Sequence, residues 1–311
     1  MCVRALPHHV LCVVLLAIAL LTACAMDGAG QDSGPSAPAG ANSEHPAGNG
    51  AENVDCAMFG IPELSPLANR QTVLAEDGTP VPGVELHQEF RTAETTGAYN
   101  VYTRGIDFSQ PVGLVVRLHG DGAADFDEPD DMSACLAEVA ASHNMVMVVP
   151  RTPDPGEDVT WWEDIPPNMA WLGELVHQEI IPKYGIDPQR VEWMGYSGGS
   201  EMLTFGVLAS HPDWVTMGAL MLGGGGAPAA MTQLPTPQQL QDLPLTWVTG
   251  LDDRGQDNDF DALKAAQAGA DFYQTIGFQR VNRTWLPDTD HGNLPHAQAL
   301  EDELTQLLAQ R

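Results

Sequence analysis

The strongest restriction on the fold is a pair of strand-like segments with no polar face. Val112–Leu118 reads VGLVVRL and residues 145–149 read MVMVV, each apolar at almost every position. A strand with one wet face alternates apolar and polar residues, whereas a continuous apolar run belongs to a strand covered on both faces. The rest of the chain supplies the cover. Residues 84–92 and 99–104, separated by a turn around Thr95-Thr96-Gly97, predict an antiparallel hairpin. Helices are predicted over 132–143, 168–184 (kinked or ended near Pro182), 200–210, 261–276 and 295–310, and strands over 191–195, 215–222, 245–249 and 280–286. A hairpin followed by repeated strand–helix units predicts an α/β chain on a mostly parallel, doubly wound sheet. At 311 residues and 43% apolar content, the chain can fill one such domain and still carry an export segment.

That export segment is residues 1–23. Arg4 and the α-amino group give a weakly positive start, and the apolar run 10–21 falls short of the about 20 residues a membrane span needs. It leads into Leu21-Thr22-Ala23-Cys24, the pattern of a bacterial lipoprotein signal, in which Cys24 is diacylated and becomes the mature N-terminus. Two acyl chains anchor stably where one does not. Residues 24–53 hold no aromatic or β-branched side chain, so they cannot offset their ordering entropy by burial. They are expected to form a disordered tether reaching roughly 30 Å, leaving 54–311 as the folded domain. The expected location is therefore extracytoplasmic, with membrane attachment through lipid alone. Cys2 and Cys12 leave with the signal, so Cys56 and Cys135 remain in the domain. In an oxidising compartment they are candidates for a disulfide tying the N-terminal segment to the first core helix; two buried thiols are the alternative.

The chemistry is concentrated at three predicted strand ends. Gly195-Tyr196-Ser197-Gly198-Gly199 falls where a strand turns sharply into a helix, the context of a nucleophile elbow. Such a turn strains the backbone of Ser197 and brings neighbouring backbones close, so residues two places either side must be small. Leu118-His119-Gly120-Asp121-Gly122 follows the buried strand 112–118, where a second oxyanion donor is expected; the backbone N–H groups of Asp121 and Gly198 are assigned to that hole. His119 precedes the elbow and is expected to brace the loop. The expected chain order is nucleophile, acid, histidine. Thr249-Gly250-Leu251-Asp252-Asp253 supplies the acid, with Asp253 preferred because it lies three residues after the glycine and Asp252 as runner-up. Asp288-Thr289-Asp290-His291-Gly292 supplies His291 as general base. His296 is the alternative, expected instead as a surface residue of the last helix.

Other classes find less support. No Cys or His pairs show zinc-ligand spacing, so neither metal nor cofactor is predicted. The acidic stretch 121–131 lacks the regular spacing and terminal Glu of a calcium loop and is expected to be a solvated rim. Gly223 to Gly226 lack the Lys and Ser/Thr of a phosphate loop and are expected to give room beside the elbow. Trp161 and Trp162 follow a core strand, either facing the pocket mouth or anchoring their loop. With 42 acidic against 13 basic side chains, a net charge of −29, there is no basic footprint for nucleic acid or anionic headgroups. The charge is read as a solvated surface, with attraction of cationic substrates as the functional alternative.

The run Tyr184-Gly185-Ile186-Asp187-Pro188-Gln189-Arg190-Val191 leading into Gly195-Tyr196-Ser197-Gly198-Gly199, with Met202 after it, resembles the secreted serine esterases grouped with polyhydroxybutyrate depolymerases and feruloyl esterases. The resemblance spans roughly residues 84 to 295. It implies an α/β-hydrolase fold without a large cap domain and carries the Ser, Asp and His roles onto Ser197, Asp253 and His291. The family often has Asn or Ala where Gly198 stands, and Asp121 is unusually acidic for its position. The expected activity is hydrolysis of a small-molecule or polymer ester through an acyl-enzyme on Ser197. An acyltransferase acting on cell-envelope components and a non-catalytic surface lipoprotein with a hydrolase shell are the alternatives.

Overall fold

The computed structural model describes residues 53–156, 158–255 and 260–309. All of them belong to one of the two units into which the chain divides, Gly48–Arg311. The expected signal segment, Cys24 and tether residues 24–52 lie outside the described residues.

Short strands β1 (Asn53–Asp55) and β2 (Asn69–Gln71) pair antiparallel ahead of the main sheet. That sheet has eight strands in the order β10-β9-β8-β7-β5-β6-β4-β3. They are β3 (Val84–Arg91), β4 (Thr96–Tyr102), β5 (Val112–Leu118), β6 (Met145–Pro150), β7 (Ile186–Tyr196), β8 (Gly218–Leu222), β9 (Pro244–Gly250) and β10 (Arg280–Leu286). From β10 to β6 all neighbours are parallel, and the β3–β4 hairpin closes one edge antiparallel. Every residue of β5, β6, β8 and β9 is buried, as strands covered on both faces require, including Arg117 in β5 and Thr246 and Thr249 in β9.

Helices cover both faces. They are α1 (Ala124–Asp127), α2 (Met132–Ser142), α3 (Ile165–Glu174), α4 (Ile181–Tyr184), α5 (Gly198–Met202), α6 (Leu208–Ser210), α7 (Pro237–Asp242), α8 (Ala262–Ile276) and α9 (His296–Leu308). One core packs α2 and α9, through Leu136, Val139, Leu300 and Leu304, against Val115, Met147 and Leu220 of the sheet. The other packs α3, the elbow helix and α8 against the opposite face, with Trp171, Trp193, Trp247 and Tyr273 buried in it. This is the α/β-hydrolase fold.

Three local expectations are corrected. The hairpin turn lies at Thr92–Thr95, closed by the Thr92 N–H on the Thr95 carbonyl, and Thr96 and Gly97 are already strand. Gly97 serves packing rather than turning, because a Cβ there would run into the Trp171 indole. The helix expected over 168–184 starts three residues earlier, at Ile165, and continues through Pro182. It does so by widening to a π-helical turn over Leu175–Ile180, which re-routes the ladder just before the proline that cannot donate to it. The strand expected from 215 starts at Gly218, since Pro212–Trp214 forms a 3-10 turn first.

Cys56 and Cys135 are joined by a disulfide, linking the N-terminal single turn to α2 across 79 residues. On chain-entropy grounds a cross-link closing a loop of that length destabilises the unfolded chain by about 4.5 kcal/mol.

The topology also fixes where a site can form. β5 has β6 on one side and β7 on the other, so the connections after β5 and β7 leave the sheet in opposite directions. Leu118 and Gly195 are register partners. The loops that follow them therefore emerge side by side at the carboxyl edge, at the switch point where ligands bind in open α/β sheets.

Candidate active site

Between β7 and α5 the backbone passes through Ser197 at φ 50°, ψ −120°, a conformation that costs a non-glycine residue about 1–3 kcal/mol. Neighbouring elements hold it there. The Ser197 N–H donates to the Leu222 carbonyl at 2.9 Å. A Cβ on Gly195 would collide with the Gly199 backbone, and one on Gly199 with the Leu118 and His119 carbonyls. Those are the two positions where the motif demands glycine.

The Ser197 hydroxyl lies 2.9 Å from His291 Nε2, and His291 Nδ1 lies 2.8 Å from Asp253 Oδ2. Asp253 is buried in the turn after β9, whereas Asp252 faces solvent with its N–H on the Thr289 carbonyl. Of the two candidate acids, Asp253 is the one brought to the imidazole. A hydroxyl, an imidazole and a buried carboxylate bonded in series can pass the hydroxyl proton to the ring while the carboxylate holds the tautomer.

His296, expected at the surface, is instead buried where α9 begins. Its Nδ1 accepts from Arg117 Nη2 at 3.1 Å, and burial followed by that guanidinium charge holds its pKa well below the ordinary imidazole range. Arg117 is fully buried, pairs with Asp125 at 2.7 Å and lies over the Tyr196 ring. Tyr196 in turn stacks on the His291 ring at 5.0 Å and donates its hydroxyl to the His291 carbonyl at 2.8 Å. The residue before the serine thus grips the backbone of the histidine, a contact between positions 95 residues apart that carries no local motif.

The loop after β5 is fixed by His119. Its Nε2 accepts the Thr152 N–H at 3.0 Å, so Nδ1 carries the proton and donates to the Gly120 carbonyl at 2.6 Å. Burial lowers its pKa to about 4, leaving the ring neutral. Trp161 packs against it, fully buried; of the two tryptophans, 161 anchors the loop and only Trp162 is open to solvent. The Trp162 indole N–H donates to Asp121 at 3.3 Å. Asp121 stands over Gly198, where a Cβ would strike its carboxylate. The acidic stretch is a solvated rim only in part, since Asp125 is buried on Arg117 and Asp130 accepts the Val73 and Leu74 N–H groups.

Ser197, His291, Asp121 and Trp162 share a cavity of about 750 Å³ with Glu201, Phe205 and Phe260. Gly223 leaves room for the His291 ring. Sequence reasoning missed Glu201, which is buried on α5 and accepts the Gly225 and Gly226 N–H groups at 2.9 and 3.0 Å. Its only sequence signal was position, one helical turn after the serine. Burial raises the carboxyls of both Glu201 and Asp121; the Gly226 and Gly225 N–H groups partly counter this for Glu201, as the indole does for Asp121. Among the described residues no group of three or more His, Cys, Asp or Glu is placed to hold a metal ion, and no helix is long and apolar enough to cross a membrane.

No protein-family model matches the chain, and no curated protein sequence matches it. Solved structures do. Poly(aspartic acid) hydrolase-1 from Sphingomonas sp. KT-1 superposes with a TM-score of 0.53 at 15% identity, covering 71% of this chain and 98% of its own. An esterase from Pyrobaculum calidifontis superposes with a TM-score of 0.53 at 14% identity, covering 74% and 86%. The feruloyl esterase module from Clostridium thermocellum reaches 0.47 at 16% identity over 75% and 93%, too loose to bear on an esterase group. At these identities what is shared is the α/β-hydrolase fold.

Proposed function

We propose that this chain is a serine esterase. The reading is carried by the hydrogen-bonded series from Ser197 through His291 to Asp253 at a strained strand-to-helix turn. Ser197 Oγ attacks the ester carbonyl carbon as its proton passes to His291 Nε2, and the C=O electron pair moves onto oxygen as an oxyanion, to which the Asp121 and Gly198 N–H groups donate. Collapse expels the alcohol, which takes the proton from His291, and leaves the acyl group on Ser197. Water repeats the sequence and releases the acid. Asp253 keeps Nδ1 protonated and stabilises the imidazolium.

Membership of the polyhydroxybutyrate depolymerase and feruloyl esterase group rests on the 184–199 residue pattern. Anchoring outside the cytoplasm rests on Cys24 in its lipoprotein context; persistent membrane association after Cys24→Ser would count against it. The decisive experiment is fluorophosphonate labelling of the folded protein beside turnover of p-nitrophenyl acetate. An adduct on Ser197, with hydrolysis lost in Ser197→Ala but folding retained, is expected. A folded wild type with neither adduct nor hydrolysis would leave a non-catalytic shell.

A further inference from the structure

Two carboxylates stand in the Ser197 cavity without a task in ester cleavage. Glu201 is 5% exposed and lines the cavity, and its carboxylate oxygens accept the Gly225 and Gly226 N–H groups rather than pairing with a cation. A buried carboxylate normally has a counter-ion, because removal from water is costly. Asp121 is the second, standing over Gly198 beside the group that would carry the oxyanion. A negative charge there opposes the one that develops in the tetrahedral state. Among the described residues no Lys or Arg lines the cavity, and the basic side chain there is His291, the proton shuttle itself. The lining also includes the aromatic residues Trp162, Phe205, Phe260 and Tyr196. Aromatic walls with carboxylates attract an organic cation twice, through ring quadrupole and net charge, and repel an anionic substrate.

We propose that Asp121 and Glu201 are specificity-determining residues that select esters bearing an ammonium group in the acyl or alcohol portion. The inference rests on the esterase reading for its substrate but on the cavity alone for its cation. A bound ammonium supplies the charge the two carboxylates lack and offsets their effect on the oxyanion. Gly198 belongs to the same device, since a larger residue there would displace the Asp121 side chain.

The test compares isosteres. Acetylcholine is set against the acetate ester with carbon in place of its nitrogen, and methyl γ-trimethylammoniobutyrate against its own carbon isostere; the two arms separate an alcohol-side from an acyl-side cation. In at least one arm the charged ester should be preferred by on the order of tenfold in kcat/KM, the effect of one well-placed cation site. Asp121→Asn and Glu201→Gln should each reduce that ratio within the same variant, whatever happens to the absolute rate. Separately, tetramethylammonium is titrated against the tryptophan fluorescence of wild type and of the variants. Saturable binding weakened in the variants is expected, and it needs neither turnover nor a reactive serine. Hydrolysis of neutral esters with ratios near one in both arms and no tetramethylammonium binding would overturn the proposal and spare the esterase. A preference that survives both substitutions would overturn the assignment to these residues. Tetramethylammonium binding without hydrolysis of any ester would sustain the cation site and remove the esterase.

Discussion

Asp252 and Asp253 are chain neighbours with opposite surroundings. Asp253 is buried with a carboxylate oxygen 2.8 Å from His291 Nδ1, whereas Asp252 turns its side chain to solvent. Asp253→Asn should therefore lower kcat for p-nitrophenyl acetate by about 10²–10⁴, because an amide favours the wrong tautomer. Asp252→Asn should stay within about threefold, as surface changes usually do. A larger loss at 252 would reassign the acid. The residues of this series were legible because each sits in a short motif whose spacing has a mechanical cause: glycines for a tight turn, chain order for the acid and the histidine. Glu201 and Arg117 were not legible. Both are charged side chains buried by contacts that exist only after folding, Glu201 with glycines 24 and 25 residues on and Arg117 with a histidine 179 residues on. The two tryptophans show the same limit, since adjacent positions leaving a strand give no clue to which ring turns inward.

Among the elements, β5 and β6 were readable from their nearly continuous apolar runs, and α2 from its helical period. Their ends were less so. Gly97 looked like a turn residue because glycine serves both turns and close packing, and only the Trp171 ring decides between them. Pro182 left a kink and a helix end both open, because the π-helical turn that accommodates it has no sequence signature of its own. The seam between α9 and the sheet carries a titration. Glu303 is buried on α9, and burial raises its carboxyl from 4.5 to about 7, with Thr246 and Arg280 opposing. The unfolded chain loses this proton first, so the wild type is penalised progressively as pH rises from 4.5 to about 7. Glu303→Gln lacks that titration. Its urea midpoint should gain on the wild type across that window and run parallel to it above; a constant difference at all pH values would contradict the shift.

At the scale of the whole molecule, the net charge of −29 bears on association more than on fold. An excess of negative charge gives the cavity carboxylates a field of their own sign, which favours the approach of cations. Fold class was readable at this scale because strand and helix alternate in a way that few layer architectures allow. The cation-selective cavity was not, because its walls come from the β5 loop, α5 and the segment before α8, which only the sheet order brings together.

Tyr196 has a mechanical consequence beyond catalysis. It is the last residue of a central strand, and it holds the carbonyl of His291 through its hydroxyl while its ring stacks on the imidazole at an angle of 29°. The loop bearing the histidine cannot swing outward on its own without tearing a bond rooted in the middle of the sheet. Heat should therefore silence the protein and melt it in one event, so residual hydrolysis and far-ultraviolet circular dichroism should fall at the same temperature. In Tyr196→Phe the loop is released, and hydrolysis should fail several degrees before the helices do.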